Sequence, residues 1–551
     1  MPQPNRHSSR PVSARIFLVF LLSAGLFAID LFMPGGVEAQ PRSPKSMGGM
    51  PKGYGDAPPM PGGSGVPGMG PSSGSPGAIP GMGPGGGMMM PGMGKGIIKK
   101  GAKKRDLSGS SDAVDNEKLP PGYRVPQEPP EALTTNEEWI VELAPDISDP
   151  KKKAREESRM VQKYRTIISD GEFTKDEDKE IVRKVLTWKL ANLTRKEHEF
   201  RDRAHLLRDE LLREIKNNPS GKGKPRTVRK FMLETITAET PRLFDYHIIA
   251  RLQAAIILAE LSDPAYNEEE AQPPSPAKPC LLALDPLTKM VRDTKQLTAV
   301  RIWGVNGLVR LGLVPQVKQQ LKSQIVETLV ELLNKSSKEH EWYQWRLVEG
   351  LGRLNVIQGP DKRPIVPQAL AQVLADPDRS WLVRSEAAQS LGRLPLTQDL
   401  DVGLLAFLTA QLTEQMTEIY NKQPQSVKWK ICYVKLYGAF KPIDDEDGKQ
   451  TKRGLLTQVE KGTLASHKKM VAEAFDLVLP LVAKVATKPD SLETAPEGME
   501  EPLSSLKKWL ESNTPKNFKI HPDEDPIAKK QSNTGDRGPL EIPQASSGGI
   551  R

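Results

Sequence analysis

The residues whose types and spacing could do chemistry are few. His198 with Glu199, and His340 with Glu341, open the zinc-hydrolase pattern HExxH. That pattern needs a second histidine one helical turn later, so that both rings reach one ion while the glutamate activates water. Asp202 and Gln344 occupy those second positions, so both histidines are expected to be solvated groups on helix ends or faces. Gly63, Gly65 and Gly68, and again Gly81, Gly83 and Gly86, spell GxGxxG. They sit in glycine-rich repeats with no preceding strand or following helix, so no helix N-terminus is placed to receive a pyrophosphate. There is no GK[ST] phosphate loop and no GxSxG nucleophile elbow. The acidic run Asp170 to Glu180 has Lys175 where a calcium-binding loop needs glycine, so it reads as a helix start whose acids favour the dipole. No catalytic set and no cofactor site emerges, and the chain is expected not to be an enzyme.

Softer chemistry remains. Met47, Met50, Met88, Met89, Met90 and Met93 recur as MGGM and MPGM in a glycine- and proline-rich stretch. Thioethers are soft ligands suited to Cu(I), which makes these weak metal candidates. No histidine or cysteine stands beside them, and a linker enriched in methionine is the competing reading. Lys99, Lys100, Lys103, Lys104 and Arg105 could touch an anionic surface, but no aromatic for base stacking lies alongside, so a solvated arm is expected. Trp303, Trp342, Trp345 and Trp381 are candidate anchors for a partner; together with Trp429, the alternative is that they pack between neighbouring helices.

Composition limits what can position such residues. Of 551 residues, 37% are hydrophobic and 5% aromatic, with 45 glycines and 49 prolines. Part of the chain therefore cannot bury enough apolar surface to offset the entropy of ordering, while the rest is large enough for a sizeable core. Residues 1–40 carry a net +1 and residues 41–105 a net +8, which accounts for the +9 of the whole chain and leaves residues 106–551 neutral. A neutral body exerts no global pull on phosphate backbones, so no specific nucleic-acid binding is expected.

Residues 1–39 read as a signal peptide. Arg15 ends a positive flank, Ile16 to Ile29 is apolar, and Val37, Glu38 and Ala39 offer a small-residue cleavage site that would leave Gln40 first. The alternative is an uncleaved anchor helix from Ile16 to Met33, and only then is membrane contact expected. Export is expected, to the periplasm or another extracytoplasmic space, with Cys280 and Cys432 as two separate buried thiols.

Residues 40–130 form a Gly/Pro/Met-rich region expected to be disordered, and residues 131–219 a charged helical segment. There Val161, Tyr164, Ile167 and Ile168 recur at helical spacing, and Thr174 with Glu177 suggests a capping box. From 226 to 487 the chain repeats itself. VRSEAAQSLGRL at Val383–Leu394 aligns without gaps on segments starting at Ala250, Val300, Tyr343, Trp429 and His467, and successive starts lie 50, 43, 40, 46 and 38 residues apart. The second slot is always polar, as in Arg251, Arg301, Gln344 and Arg384. Slots five, six, nine and twelve share one helical face and carry small or apolar residues. Prolines at 264, 315, 395, 442 and 480 are expected to stop five of the six helices. Second apolar helices lie between the copies, so the unit is an antiparallel helix pair that must stack on its neighbours to bury its face. Residues 488–551 are expected to be mostly a disordered tail with one candidate capping helix around Leu503, Leu506, Trp509 and Leu510.

The stretch from Asp376 and Pro377 through Val383–Leu394 resembles a HEAT repeat, a member of the armadillo-like group. The resemblance implies an all-α fold, a right-handed α-solenoid of about six helix pairs flanked by disordered arms. It also implies a ladder between repeats, involving Asp376 and Arg384, with Arg301 and Arg251 in the matching slots. Proteins of that group are mostly scaffolds. The expected function is therefore an exported scaffold holding a protein partner, with a Met-rich Cu(I)-binding protein or a membrane-anchored assembly factor as alternatives.

Overall fold

The computed structural model describes residues 138–219, 227–263, 278–314, 317–426, 428–443, 453–460, 462–488 and 494–527, all in one compact unit. The fold is all-α, and the only strands among these residues are the two-residue pair Ser262–Asp263 and Lys278–Pro279. The helices are α1 (Pro150–Asp170), α2 (Asp176–Asn192), α3 (His198–Asn217), α4 (Thr227–Glu239), α5 (Ile248–Glu260), α6 (Leu284–Arg292), α7 (Thr298–Gly312) and α8 (Gln319–Lys335). They continue as α9 (Glu341–Leu354), α10 (Ile365–Ala375), α11 (Trp381–Arg393), α12 (Val402–Lys422), α13 (Lys428–Phe440), α14 (Leu455–Val459), α15 (Lys468–Thr487) and α16 (Glu500–Ser512).

Local signals set many of these boundaries. Asp149 accepts bonds from the backbone N–H groups of Lys151 and Lys152, with Pro150 following it, and α1 stops at Gly171, whose φ of 74° is left-handed. Ser380 caps α11 and Asp401 caps α12 in the same way. The α2 start differs from the expected box: the acid is Asp178, which accepts from the N–H groups of Thr174 and Lys175 and from the Thr174 hydroxyl. Glu177 stands one residue too early to turn back onto the cap.

All six sequence copies fall on helices, α5, α7, α9, α11, α13 and α15, and each packs on the next to form one layer. A second layer runs alongside, with α6 against α7, α8 against α9, α10 against α11 and α12 against α13, while α8, α10 and α12 also touch in sequence order. The fifth and twelfth slots explain the cohesion of the first layer with its neighbours: Leu347 and Leu354, Ala387 and Leu394, Tyr433 and Phe440, and Val471 and Val478 are all buried. The closest approach between helices of the layer is made by glycine. A methyl group at Gly392 would lie 2.8 Å from the carbonyl carbon of Ala439 and 2.9 Å from its Cα, and one at Gly352 would lie 2.9 Å from the Cα of Ser390. The small sixth slot is buried at Ala255, Val305, Val348 and Ala388 and half-exposed at Val434 and Ala472.

Two expectations change. Pro480 lies inside α15 instead of ending it; its ring is on an exposed position, where water can take the carbonyl that loses its partner. Pro395 and Pro442 do follow helix ends, and Pro264 and Pro315 lie outside the described residues. The C-terminal stretch is packed further than a single cap: α16 lies on α12 and α15, and Ile520 and Ile527 are buried. The backbone there is tied down as well, since Asp401 N–H donates to Ile520 O at 2.8 Å. At the other end the charged segment is three helices, and its apolar stripe packs through α2 on α4 and through α3 on α5.

Candidate functional site

Each first-layer helix has one face toward the second layer and two flanks toward its neighbours. At about 100° per residue, slots four, seven and eleven lie opposite the apolar slots, on the remaining face. From α7 to α13 these slots hold seven charged residues, Arg310, Arg346, Glu349, Arg353, Glu386, Arg393 and Lys435, a net +3 within a body that is neutral as a whole, together with Trp303, Asn306, Gln389, Cys432 and Ala439, the last three buried.

The centre of this face is a buried polar network. Glu386 on α11 is 1% exposed; its Oε2 accepts from the Trp345 indole N–H at 2.7 Å and from the Lys435 ammonium. Lys435 also donates to Gln389 Oε1 at 3.4 Å. The Trp345 ring has Arg346 4.6 Å and Lys435 5.4 Å from its centre, and Arg346 pairs with Glu349 at 2.7 Å. Burial alone would push the Glu386 carboxyl up, but Lys435, Arg393 and the two donors outweigh it and hold the group below the usual carboxylate range. Lys428 of α13 binds Glu341 of α9. Side chains of α9 and α13 therefore meet over α11, which is why Glu386 is sealed.

Slot eleven carries arginine on three successive helices, and their circumstances differ. Arg310 caps the end of α5, donating to Ala259 O at 2.8 Å, Leu261 O at 3.4 Å and Ser262 Oγ at 2.5 Å. Arg353 has a side chain 41% exposed, and its one ion-pair partner, Glu349, is 3.9 Å away. Arg393 is half-buried and, among the described residues, makes no hydrogen bond or ion pair; its Nε is buried without an acceptor. Arg453 approaches the same end of the layer and donates to Asn355 Oδ1, just past α9.

The ladder residues take related but shifted roles. Arg301 and Arg384 each donate Nε to a carbonyl ten residues back, Val291 O at 3.2 Å and Leu374 O at 3.0 Å, closing the preceding helix. Arg251 donates its Nε to a nearer carbonyl, Tyr246 O at 2.5 Å, five residues back and just before α5. Asp376 lies 3.6 Å from Arg379. Burial pulls the Arg384 guanidinium down to about 10, against the nearby Asp376 carboxylate. The links between copies run through residues that the repeat alignment did not single out. Arg301 donates to Glu339 at 2.9 Å, and Arg379 donates to Gln344 Oε1 at 2.7 Å and to Leu333 O at 3.0 Å. Glu339 and Arg379 occupy the same position, five residues before the second slot of their copies. The copy with glutamine in that slot is thus linked too, with donor and acceptor exchanged: here the second-slot residue accepts.

Of the four candidate anchors, Trp342 is exposed at 38%, Trp303 and Trp381 are half-buried against the core, and Trp345 is buried at 9%. Trp345 therefore cannot serve as a free anchor, because its indole is committed to Glu386. Trp429 is also buried, stacked near Trp381 and Tyr420. His198 lies 2.8 Å from Asp202, and His340 caps α9 by accepting from Trp342 N–H. Cys280 and Cys432 are buried and unpaired, and burial pushes the Cys432 thiol up to about 12. Met47, Met50, Met88, Met89, Met90 and Met93, the glycine strings and the basic cluster lie outside the described residues. Among the described residues no group of three or more His, Cys, Asp or Glu is placed to hold a metal, and no helix is long and apolar enough to cross a membrane.

On the other side of the layer, α10, α12 and α16 enclose a cavity of about 470 Å³ lined by Phe407, Leu408, Glu414, Lys507 and Phe518, among others. Glu414 is pushed up to about 7 by burial and by Glu418, against the pull of Lys507, which also binds Glu418. This arrangement is a clasp between α12 and α16. Comparison with protein families, with curated proteins and with solved structures gave no significant match to this chain.

Proposed function

We propose that this chain is an exported, non-enzymatic scaffold built as a right-handed α-solenoid of HEAT-like helix pairs, and that it holds a protein partner on the free face of its first layer. The observation that carries the reading is the ordered stack: six similar helices, each packed on the next, with a second helix layer behind. Such stacking leaves one side of the layer turned away from the second helices, and from α7 to α13 that side carries a positive excess, Trp342 and two weakly engaged arginines. The signal-like residues 1–39 support export, and the arm 40–130 would space the body from whatever holds its N-terminus.

Photo-crosslinking tests this reading. A benzoyl-phenylalanine at Trp342 is expected to capture one partner from the exported fraction. The same group at the exposed Glu327 of α8, on the second layer, is expected to capture none. Equal capture at both, or none at either, contradicts it. N-terminal sequencing of the mature chain should begin at Gln40; a chain that retains Met1 in the membrane pellet favours the anchored form.

A further inference from the structure

We infer that the free face recognises an acidic peptide segment, whose carboxylates pair with Arg353 and Arg393; this rests on the scaffold reading and names the partner's chemistry. Arg310, Arg353 and Arg393 share a register on consecutive helices, yet only Arg310 is saturated, by carbonyls and a hydroxyl of the preceding turn. Arg353 projects to solvent beside a single distant carboxylate, and Arg393 keeps a buried Nε without an acceptor. An incoming carboxylate would engage this guanidinium once the side chain turns outward, a movement that breaks no hydrogen bond among the described residues and gives the unmade donor a partner. Among the described residues the nearby acids are engaged first by other groups: Glu349 pairs with Arg346 at 2.7 Å and reaches Arg353 only at 3.9 Å, and Glu386 binds Lys435 and Trp345, with Arg393 acting on it through charge alone, so the face keeps its positive excess. Guanidinium forks on helices about 10 Å apart match two carboxylates three residues apart on a polyproline-II chain, where such residues share a face about 9 Å apart. A protein segment fits better than a nucleic acid because the body has no net positive charge and Trp342 is the one strongly exposed aromatic of the face.

The test uses the full chain and fluorescein-labelled peptides of serine with glutamate, glutamine or lysine at every third position, together with a labelled single-stranded oligonucleotide. Anisotropy at low salt is expected to show saturable binding of the glutamate peptide alone, weakening as salt rises. Arg353→Gln, at an exposed position, should weaken it about tenfold, and adding Arg393→Gln about tenfold more, while Lys335→Gln on α8 leaves it unchanged. Absence of glutamate-peptide binding, equal binding to the glutamine peptide, tighter binding of the oligonucleotide, or no loss in Arg353→Gln overturns the inference. Crosslinking at Trp342 separates the two claims. A partner captured equally by wild type and by the double variant sinks the acidic-peptide inference and spares the scaffold, whereas no captured partner sinks the scaffold.

Discussion

Gly392→Ala is the sharpest single perturbation of the stack. Taken alone, the substitution should help, because alanine favours a helix interior over glycine by about 1 kcal/mol. The neighbouring helix reverses the sign. The added methyl would lie 2.8 Å from the carbonyl carbon of Ala439, 2.9 Å from its Cα and closer still to its oxygen. These are backbone atoms, which cannot swing aside as a side chain can. Ordinary contact requires α11 and α13 to separate by about 1 Å, and a gap of that size forfeits a quarter to a half of the dispersion attraction between facing atoms. Overpacking of this kind costs about 1–3 kcal/mol, so after the helix-propensity gain a net destabilisation of about 1 kcal/mol is expected. Urea denaturation followed by far-UV circular dichroism should show a lower midpoint with little change in slope. Gly304→Ala is the comparison, since its methyl would meet side-chain atoms of Val291 and Met290 and no backbone of another helix. If Gly392→Ala is as stable as wild type or more so, the close α11–α13 packing described above is wrong.

Further outcomes follow from the same contacts. Glu386→Ala leaves Lys435, with a side chain 14% exposed, without its carboxylate, and should cost about 3 kcal/mol in urea denaturation. Because Glu386 titrates below its ordinary range, the stability it confers is present above that range and is lost as pH falls through the folded value; the gap between Glu386→Gln and wild type should close on acidification. Glu414 behaves oppositely. Its folded value of about 7 lies above the ordinary 4.5, so its favourable share is present below 4.5 and lost as pH rises through 7. Glu414→Gln should remove that decline and gain up to about 3 kcal/mol on wild type at pH 8, read from thermal midpoints across pH. Cys432 and Cys280, both buried with raised thiol values, should react with a thiol reagent only as fast as the fold opens; immediate reaction of either in native protein contradicts their placement.

The helical layer was legible because its signal is local and recurrent. Slots five, six, nine and twelve repeat in six gap-free copies, and a helix face can be read from one copy alone. What the sequence did not show depends on partners about 40 residues away. Glu339 and Arg379 look like ordinary turn residues until Arg301 and Gln344 are set beside them. Whether Trp345 packs between helices or anchors a partner stayed open in the sequence because nothing near it reveals the Glu386 carboxylate that takes its N–H. Pro480 read as a stop because the rule weighs the lost hydrogen bond and not the solvent that replaces it. The slot-eleven arginines were visible as residues, but their difference was not: Arg310 has carbonyls within reach, and Arg393 does not.

Spin-label distances test the order of the stack most directly. Labels at Glu260 on α5, Arg353 on α9 and Asp476 on α15 all occupy exposed positions at nearly the same register of the aligned copies. With adjacent axes about 8–10 Å apart, two steps from α5 to α9 give about 20 Å, and five steps to α15 give about 40–50 Å. The account predicts that the second distance is at least twice the first; comparable distances would mean that the helices close into a globule and that no continuous binding face exists.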